Sequence, residues 1–225
     1  NDAMSAGVLL GANANVPVGE GVLTDDSFRY NDILRATDDG IMARVKIPKI
    51  GVDLPIYHGT SDEVLLLGAG HLEGSSLPVG GTDTHSVITA HRGLANATMF
   101  SNLDGVGLGD RFTIEVFGEV LTYEVRAKEV IDPAETDSLR AEPGRDLVTL
   151  ITCTPLGINS HRIVLTGERV TPTPPNDATQ AGVAPTVPGF PWWAVFAVGG
   201  LLIIATYVGR QGFADAKLSA ARPPR

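Results

Sequence analysis

The chain has one cysteine, Cys153, within the stretch DLVTLITCTPLGINSHRIVLTGERV from Asp146 to Val170. Two further polar bases, His161 and Arg162, follow across a short loop. A thiol attacks a carbonyl only as the thiolate, and an ordinary pKa of about 8.5 leaves it mostly protonated near neutrality. A nearby cation favours the charged form, a histidine can exchange the proton, and the oxyanion of a tetrahedral intermediate needs donors. Arginine is permanently charged and presents a fork of donors. A cysteine, a histidine and an arginine are therefore a sufficient minimal set for acyl transfer.

Spacing indicates where that set would stand. Alternate residues of a strand share a face, so Leu147, Thr149, Ile151 and Cys153 look the same way. Pro155 and Gly157 break the strand just beyond the cysteine, which puts the thiol at a strand mouth. If the two runs pair antiparallel, His161 and Arg162 return beside it. Alternation admits only one of them on the cysteine's side, and periodicity does not choose. His91 ends another apolar run, SVITAH, and so mirrors the position of Cys153, either as a reactive group or as a turn residue. His71 lies in the loop-like stretch GAGHLEGSSLPVGG, and His85 reads as structural. A zinc site from His71, His85, His91 and Cys153 matches no familiar ligand spacing and lacks a CxxC element. No cofactor and no metal are implied.

Seven runs rich in Val, Ile, Thr and Tyr must position these groups: IMARVKIP, VDLPIYH, HSVITAH, DRFTIEVF, EVLTYEVRAKEVI, DLVTLITCT and HRIVLTGERV. Gly, Pro, Asp and Asn separate them, and FGE at 117–119 reads as a hairpin turn. Many short strands with few helices predict a mainly β fold, a closed barrel or a sandwich. Three short helices are expected. One bears Phe28, Tyr30, Ile33 and Leu34 behind a cap at Asp26 or Ser27, and Gly40 ends it. A second starts at a Thr60-Ser61-Asp62-Glu63 capping box and stops at Gly68. The third is ANATMFSNL, Ala95–Leu103.

Beyond this block, residues 171–191 contain six prolines and predict an extended linker. Residues 192–208, WWAVFAVGGLLIIATYV, carry no charge and are long enough for a membrane span. The short tail 209–225 holds Arg210, Lys217, Arg222 and Arg225 against Asp215, so the positive-inside rule makes it cytoplasmic and the preceding domain extracellular. The part before the tail has 13 basic and 25 acidic residues, a formal charge of −12, which excludes a basic nucleic-acid footprint.

TLITCTPLGINSHRIVLTGER resembles the TLxTCxP…R signature of sortases, the cysteine transpeptidases of Gram-positive surfaces. SVITAHRG is similar to their histidine strand, and GAGHLEGSSLPVGG, IPKIGVDLPIYHG and the C-terminal apolar segment resemble class C, the pilin-polymerising type. The resemblance runs from about Phe28 to Val170. It implies an eight-stranded sortase-type β-barrel with short helices, with Cys153 as nucleophile, His91 as catalytic histidine and Arg162, rather than His161, as the arginine. It further implies cleavage of an LPxTG-type sorting signal between Thr and Gly through a thioacyl enzyme, then transfer to a pilin lysine, or to a cell-wall precursor in housekeeping sortases. Thr89, Thr152 and Thr154 are expected to line the groove. Class C enzymes usually carry an N-terminal lid with an Asp-Pro-aromatic or similar anchor; residues 1–30 hold no Asp-Pro, so either ANANVPVGEGVL, with Val16 or Val18, forms the lid within 1–27, or the lid is shorter, differently anchored or absent. The expected organisation is thus an N-terminal segment 1–27 with room for a lid, a catalytic barrel 28–170, a linker 171–191, a span 192–208 and a tail 209–225. Two other classes compete: a non-catalytic surface module with Cys153 as a buried structural residue, and a cysteine protease that releases free acid even with an amine present.

Overall fold

The computed structural model describes residues 30–95, 97–184 and 192–220. The expected lid in residues 1–27 lies outside the described residues. Two compact units are present, Asn1–Val183 and Ala184–Arg225.

The first unit is built on eight strands: β1 (Ile41–Ile47), β2 (Val52–His58), β3 (Ala69–His71), β4 (Thr84–Thr89), β5 (Arg111–Val116), β6 (Glu119–Ile131), β7 (Asp146–Thr154) and β8 (His161–Arg169). They close into a barrel in the order β1-β2-β3-β4-β7-β8-β6-β5. The pairs β2–β3 and β4–β7 are parallel and the others antiparallel. All seven expected runs are strands. The eighth, β3, is three residues long and too short to show a period. The β5–β6 hairpin turns at Phe117 and Gly118, with φ of 46° and 84°, the pair of positive values that a type I′ turn needs.

Burial divides the barrel into two kinds of wall. On β5 the pattern alternates between buried and more exposed positions, so one face meets water. On β4, β7 and β8 nearly every residue is buried, so these strands are covered on both faces. Ile88, Leu150 and Leu165 point into the main core with Val45, Ile56, Phe112 and Tyr123. Their strand neighbours Val87, Ile151 and Val164 belong to a second cluster, with Leu72, Ile131 and Leu139. The face that carries Cys153 is that second, outer one.

Helix α1 (Asp62–Leu67) stops at Gly68 as expected, but its cap is Ser61, whose Oγ accepts from Val64 N–H at 3.4 Å. Thr60, the expected cap, is buried, which leaves the extended capping position to its neighbour. Over 97–105 the chain forms turns and a 3₁₀ turn at Leu103–Gly105 in place of the expected helix. Met99 sits at φ 42°, a left-handed value that an α-helix cannot contain. Tyr30–Asp32 is likewise a single 3₁₀ turn.

Residues 171–183 differ from a freely extended linker. Thr173 Oγ donates to Val120 O (3.0 Å) and Thr122 Oγ to Asp177 (2.9 Å), beside a short helix α2 (Pro175–Ala178). Lys46 Nζ reaches Gln180 O at 2.8 Å and Arg44 reaches Val183 O at 2.7 Å. The prolines prevent a ninth strand, yet side chains of β1 and β6 still hold the segment. In the second unit, α3 (Trp192–Ala220) contains the stretch Trp192–Arg210, which is long and apolar enough to cross a membrane.

Close packing inside the barrel gives a direct test. A Cβ at Gly167 would stand 2.5 Å from the Phe112 ring, itself stacked on Tyr123 at 5.6 Å. Gly167→Ala is expected to cost about 1–3 kcal/mol by overpacking, read as a lower urea midpoint at unchanged slope. An unaltered midpoint would show that the ring pair yields.

Candidate active site

The ladder between β7 and β8 pairs Cys153 with Arg162 and Thr154 with His161. Directly opposed residues of an antiparallel pair share a face, with Cβ atoms about 4.5–5.5 Å apart. Arg162 is therefore the cation on the cysteine's side. It is 2 % exposed, and its Nη1 donates to Asn159 O at 2.8 Å and His161 O at 3.0 Å. His161 is exposed and turns to Ser160 Oγ at 2.9 Å.

The histidine arrives from the other side. Strand β4 runs parallel to β7 with Thr89 level with Ile151. Two more steps in that register bring His91 level with Cys153. The segment stays on register past the last ladder pair because Ala90 N–H donates to Ile151 O at 3.2 Å and Thr152 Oγ donates to Ala90 O at 2.9 Å. Arg92 Nη1 then donates to Thr154 Oγ at 2.9 Å. His91, Cys153 and Arg162 thus lie side by side at the same end of three adjacent strands, β4, β7 and β8.

Burial pushes the Cys153 thiol up from its ordinary value, while Arg162 foremost and Arg92 next pull it down. Desolvation penalises the thiolate and the two guanidiniums stabilise it. Arg92 was not singled out by the sequence; its signal was adjacency to His91, which says nothing about where a long side chain ends.

Of the three threonines expected in the groove, Thr89 and Thr152 are almost fully buried and bond to backbone, Thr89 to Ile151 O at 3.2 Å. Thr152 alternates with Cys153 and shares the inner face with Leu150, so it braces the His91 segment from behind. Thr154 is partly exposed and accepts from Arg92.

The remaining imidazoles have other work. His71 lies on β3, wholly buried, with Nδ1 at 2.8 Å from the Tyr30 hydroxyl and Nε2 at 2.9 Å from Ser76 O. His85 bridges Arg140 O (2.9 Å) and Thr149 Oγ (2.7 Å). His58 bonds the carbonyls of Ile33 and Gly40. Among the described residues no group of three or more His, Cys, Asp or Glu is arranged to hold a metal ion.

With this geometry in place, comparison with known proteins is specific. The sortase-domain family model matches residues 45–170, more than half of the chain. The chain belongs to the sortase family. Sortase D of Bacillus subtilis is 28% identical over 130 residues, 56% of this chain. The chain spans between 47% and 63% of the length of the three curated sortases it matches. Among solved structures, sortase C-1 from Actinomyces oris is 58% identical with a TM-score of 0.60, covering 63% of this chain and 80% of that one. Streptococcus pneumoniae sortase C is 39% identical with a TM-score of 0.67, covering 78% and 84%. The eight-stranded barrel of this sortase is thus the fold of its family, and the solved structures it resembles include several sortases of class C.

The buried His71 gives this sortase a pH-dependent stability that is independent of the active site. Burial first, and the charge of His58 to a lesser degree, lowers its pKa from 6.5 to about 4, against the hydrogen bond to Ser76, which raises it. Between those values the unfolded chain binds more protons than the folded one, so stability falls as pH drops below 6.5 and contributes nothing further above it. Urea unfolding at pH 5 against pH 7 is expected to show a loss of about 2 kcal/mol from this group. His71→Gln should flatten that part of the slope; a slope identical to wild type would assign it to other groups.

Proposed function

We propose that this sortase is a membrane-anchored cysteine transpeptidase of the pilin-polymerising kind, with Cys153 as nucleophile, His91 as acid and base, and Arg162 as oxyanion donor. The observation that carries the reading is the alignment of these three side chains at one end of β4, β7 and β8, on the outer face of a barrel whose solved relatives include class C sortases.

In the proposed reaction the Cys153 thiolate attacks the Thr carbonyl carbon of an LPxTG-type sorting signal. The carbonyl electron pair moves to oxygen, where the Arg162 guanidinium stabilises it. The His91 imidazolium gives its proton to the Gly nitrogen as the Thr–Gly bond breaks, leaving a thioester on Cys153. An incoming lysine amine of a pilin subunit passes a proton to His91 as it attacks, and the thiolate leaves with a new isopeptide bond formed. Two-sided burial of β7 favours the amine over water, because it shields the thioester on all but its open end. Helix α3 is proposed to anchor the enzyme, with the barrel outside the cell and the basic tail inside. The second acceptor to weigh is a cell-wall precursor, since the curated relatives include two named sortase A.

The test is transfer of an LPxTG-type peptide to an amine by the full chain in detergent. Cys153→Ala should abolish transfer, and Arg162→Ala should lower kcat/KM by about 10²–10³, as loss of an oxyanion donor does. A pilin lysine peptide and a cross-bridge mimic offered together identify the acceptor. Release of free acid alone, with amine present, would replace transpeptidase by protease.

A further inference from the structure

The ladder between β4 and β7 ends at the pair Thr89–Ile151, two residues short of His91 and Cys153. Past that pair a backbone bond, Ala90 N–H to Ile151 O at 3.2 Å, still guides the segment up to the residue before the histidine. Two side-chain hydrogen bonds then straddle the histidine and the cysteine. Thr152 Oγ donates to Ala90 O at 2.9 Å on one side, and Arg92 Nη1 donates to Thr154 Oγ at 2.9 Å on the other. His91 lies between Ala90 and Arg92, and Cys153 lies between Thr152 and Thr154.

Arg92 is also tied to the loop that follows it. Its Nε donates to Ser101 O at 3.2 Å, and its Nη2 stands 3.3 Å from Asp104. Phe100 N–H donates back to His91 O at 3.0 Å, and Gly93 N–H to Ser101 Oγ at 2.9 Å. The guanidinium side chain is only 12% exposed, whereas that of Asp104 is 58% exposed, so water screens the carboxylate more than the cation. One planar group thus clamps the His91 segment, the 98–104 turn and the end of the cysteine strand.

We infer that Arg92 is a second arginine of the active site, a positioning residue that extends the β4–β7 register to His91 and Cys153 and fixes a positive charge at Thr154, the residue next to the cysteine. It acts through its neighbours: the fork sets the spacing of the histidine and cysteine, and the charge favours the thiolate that spacing serves. Arg162 from β8 is the larger positive charge on the thiol, and Asp104 pairs with Arg92. Lysine could supply the charge but not the three-way fork, so the two contributions separate by substitution.

The inference rests on the transpeptidase reading for its role in turnover, but alkylation by iodoacetamide reads Cys153 without any sorting peptide. The two can therefore fail separately. In the full chain in detergent, Arg92→Gln is expected to move the pH profile of Cys153 alkylation to higher pH, slowing alkylation at pH 7 by about threefold to tenfold. Arg92→Lys should keep the profile near wild type yet lower kcat with little change in KM. Thr154→Val, which keeps the charge and removes the acceptor, should lower kcat in the same way. Arg111→Gln removes an equal charge from a half-exposed pair between Arg111 on β5 and Glu124 on β6 and should leave the alkylation profile unchanged. If Arg92→Gln alkylates as wild type does and only its melting temperature falls, Arg92 is structural and the inference is overturned. If Arg92→Gln does not fold, kcat in Thr154→Val and Arg92→Lys decides: a loss at constant KM supports the clamp, and wild-type kcat in both overturns it. A shifted alkylation profile in a chain that transfers no sorting peptide would keep Arg92 in place and sink the transpeptidase reading alone.

Discussion

The antiparallel register of β7 on β8 sets Cys153 directly against Arg162, and the rest of the site is arranged around that pair. A slip of one residue would place the exposed His161 opposite the thiol and turn Arg162 to the other face. The ladder is hard to slip, because Ile151 and Val164 are buried in one cluster while Leu150 and Leu165 are buried in the other. Moving either strand by one position would exchange the two sets and drive Arg162 into an apolar core. The apolar packing of the barrel wall thus fixes the geometry of its reactive end.

Burial and charge oppose one another at the thiol. Covering β7 on both faces desolvates the cysteine, which raises it and disfavours the nucleophilic form. Permanent cations are the remedy that burial allows, since a guanidinium does not lose its proton when desolvated. Two arginines favour the thiolate, Arg162 on β8 foremost and Arg92 just past the end of β4. The imidazoles that burial would neutralise are elsewhere: His71 and His85 are locked in hydrogen bonds and hold the fold.

The strap at 171–183 shows polar side chains doing what a regular element cannot. Its prolines remove the donors a strand would need, so the barrel holds it by reaching outward, with Arg44 and Lys46 on its carbonyls and Thr122 on Asp177. The catalytic unit therefore continues past β8 to Val183 before the chain enters its second unit.

Local pattern and tertiary structure determined different things. The sequence by itself specified seven of the eight strands, the hairpin at Phe117-Gly118, the stop at Gly68 and the place of Cys153 at a strand mouth, because periodicity, turn chemistry and strand breakers are properties of neighbouring residues. By resemblance it also pointed to Arg162 over His161, which alternation alone left open. It did not contain β3, whose three residues are a strand only because β2 and β4 flank them. Nor did it contain the cap at Ser61, the turns that replace a helix at 97–105, or the docked strap, each decided by burial or by a distant partner. Alternation states which residues share a face; it does not state which face is covered, or that a parallel strand 62 positions earlier in the chain stands level with the cysteine. Those follow from closure of the barrel, which brings β4, β7 and β8 together and lets the side chain of Arg92 end at Thr154, next to a cysteine that the sequence places far away.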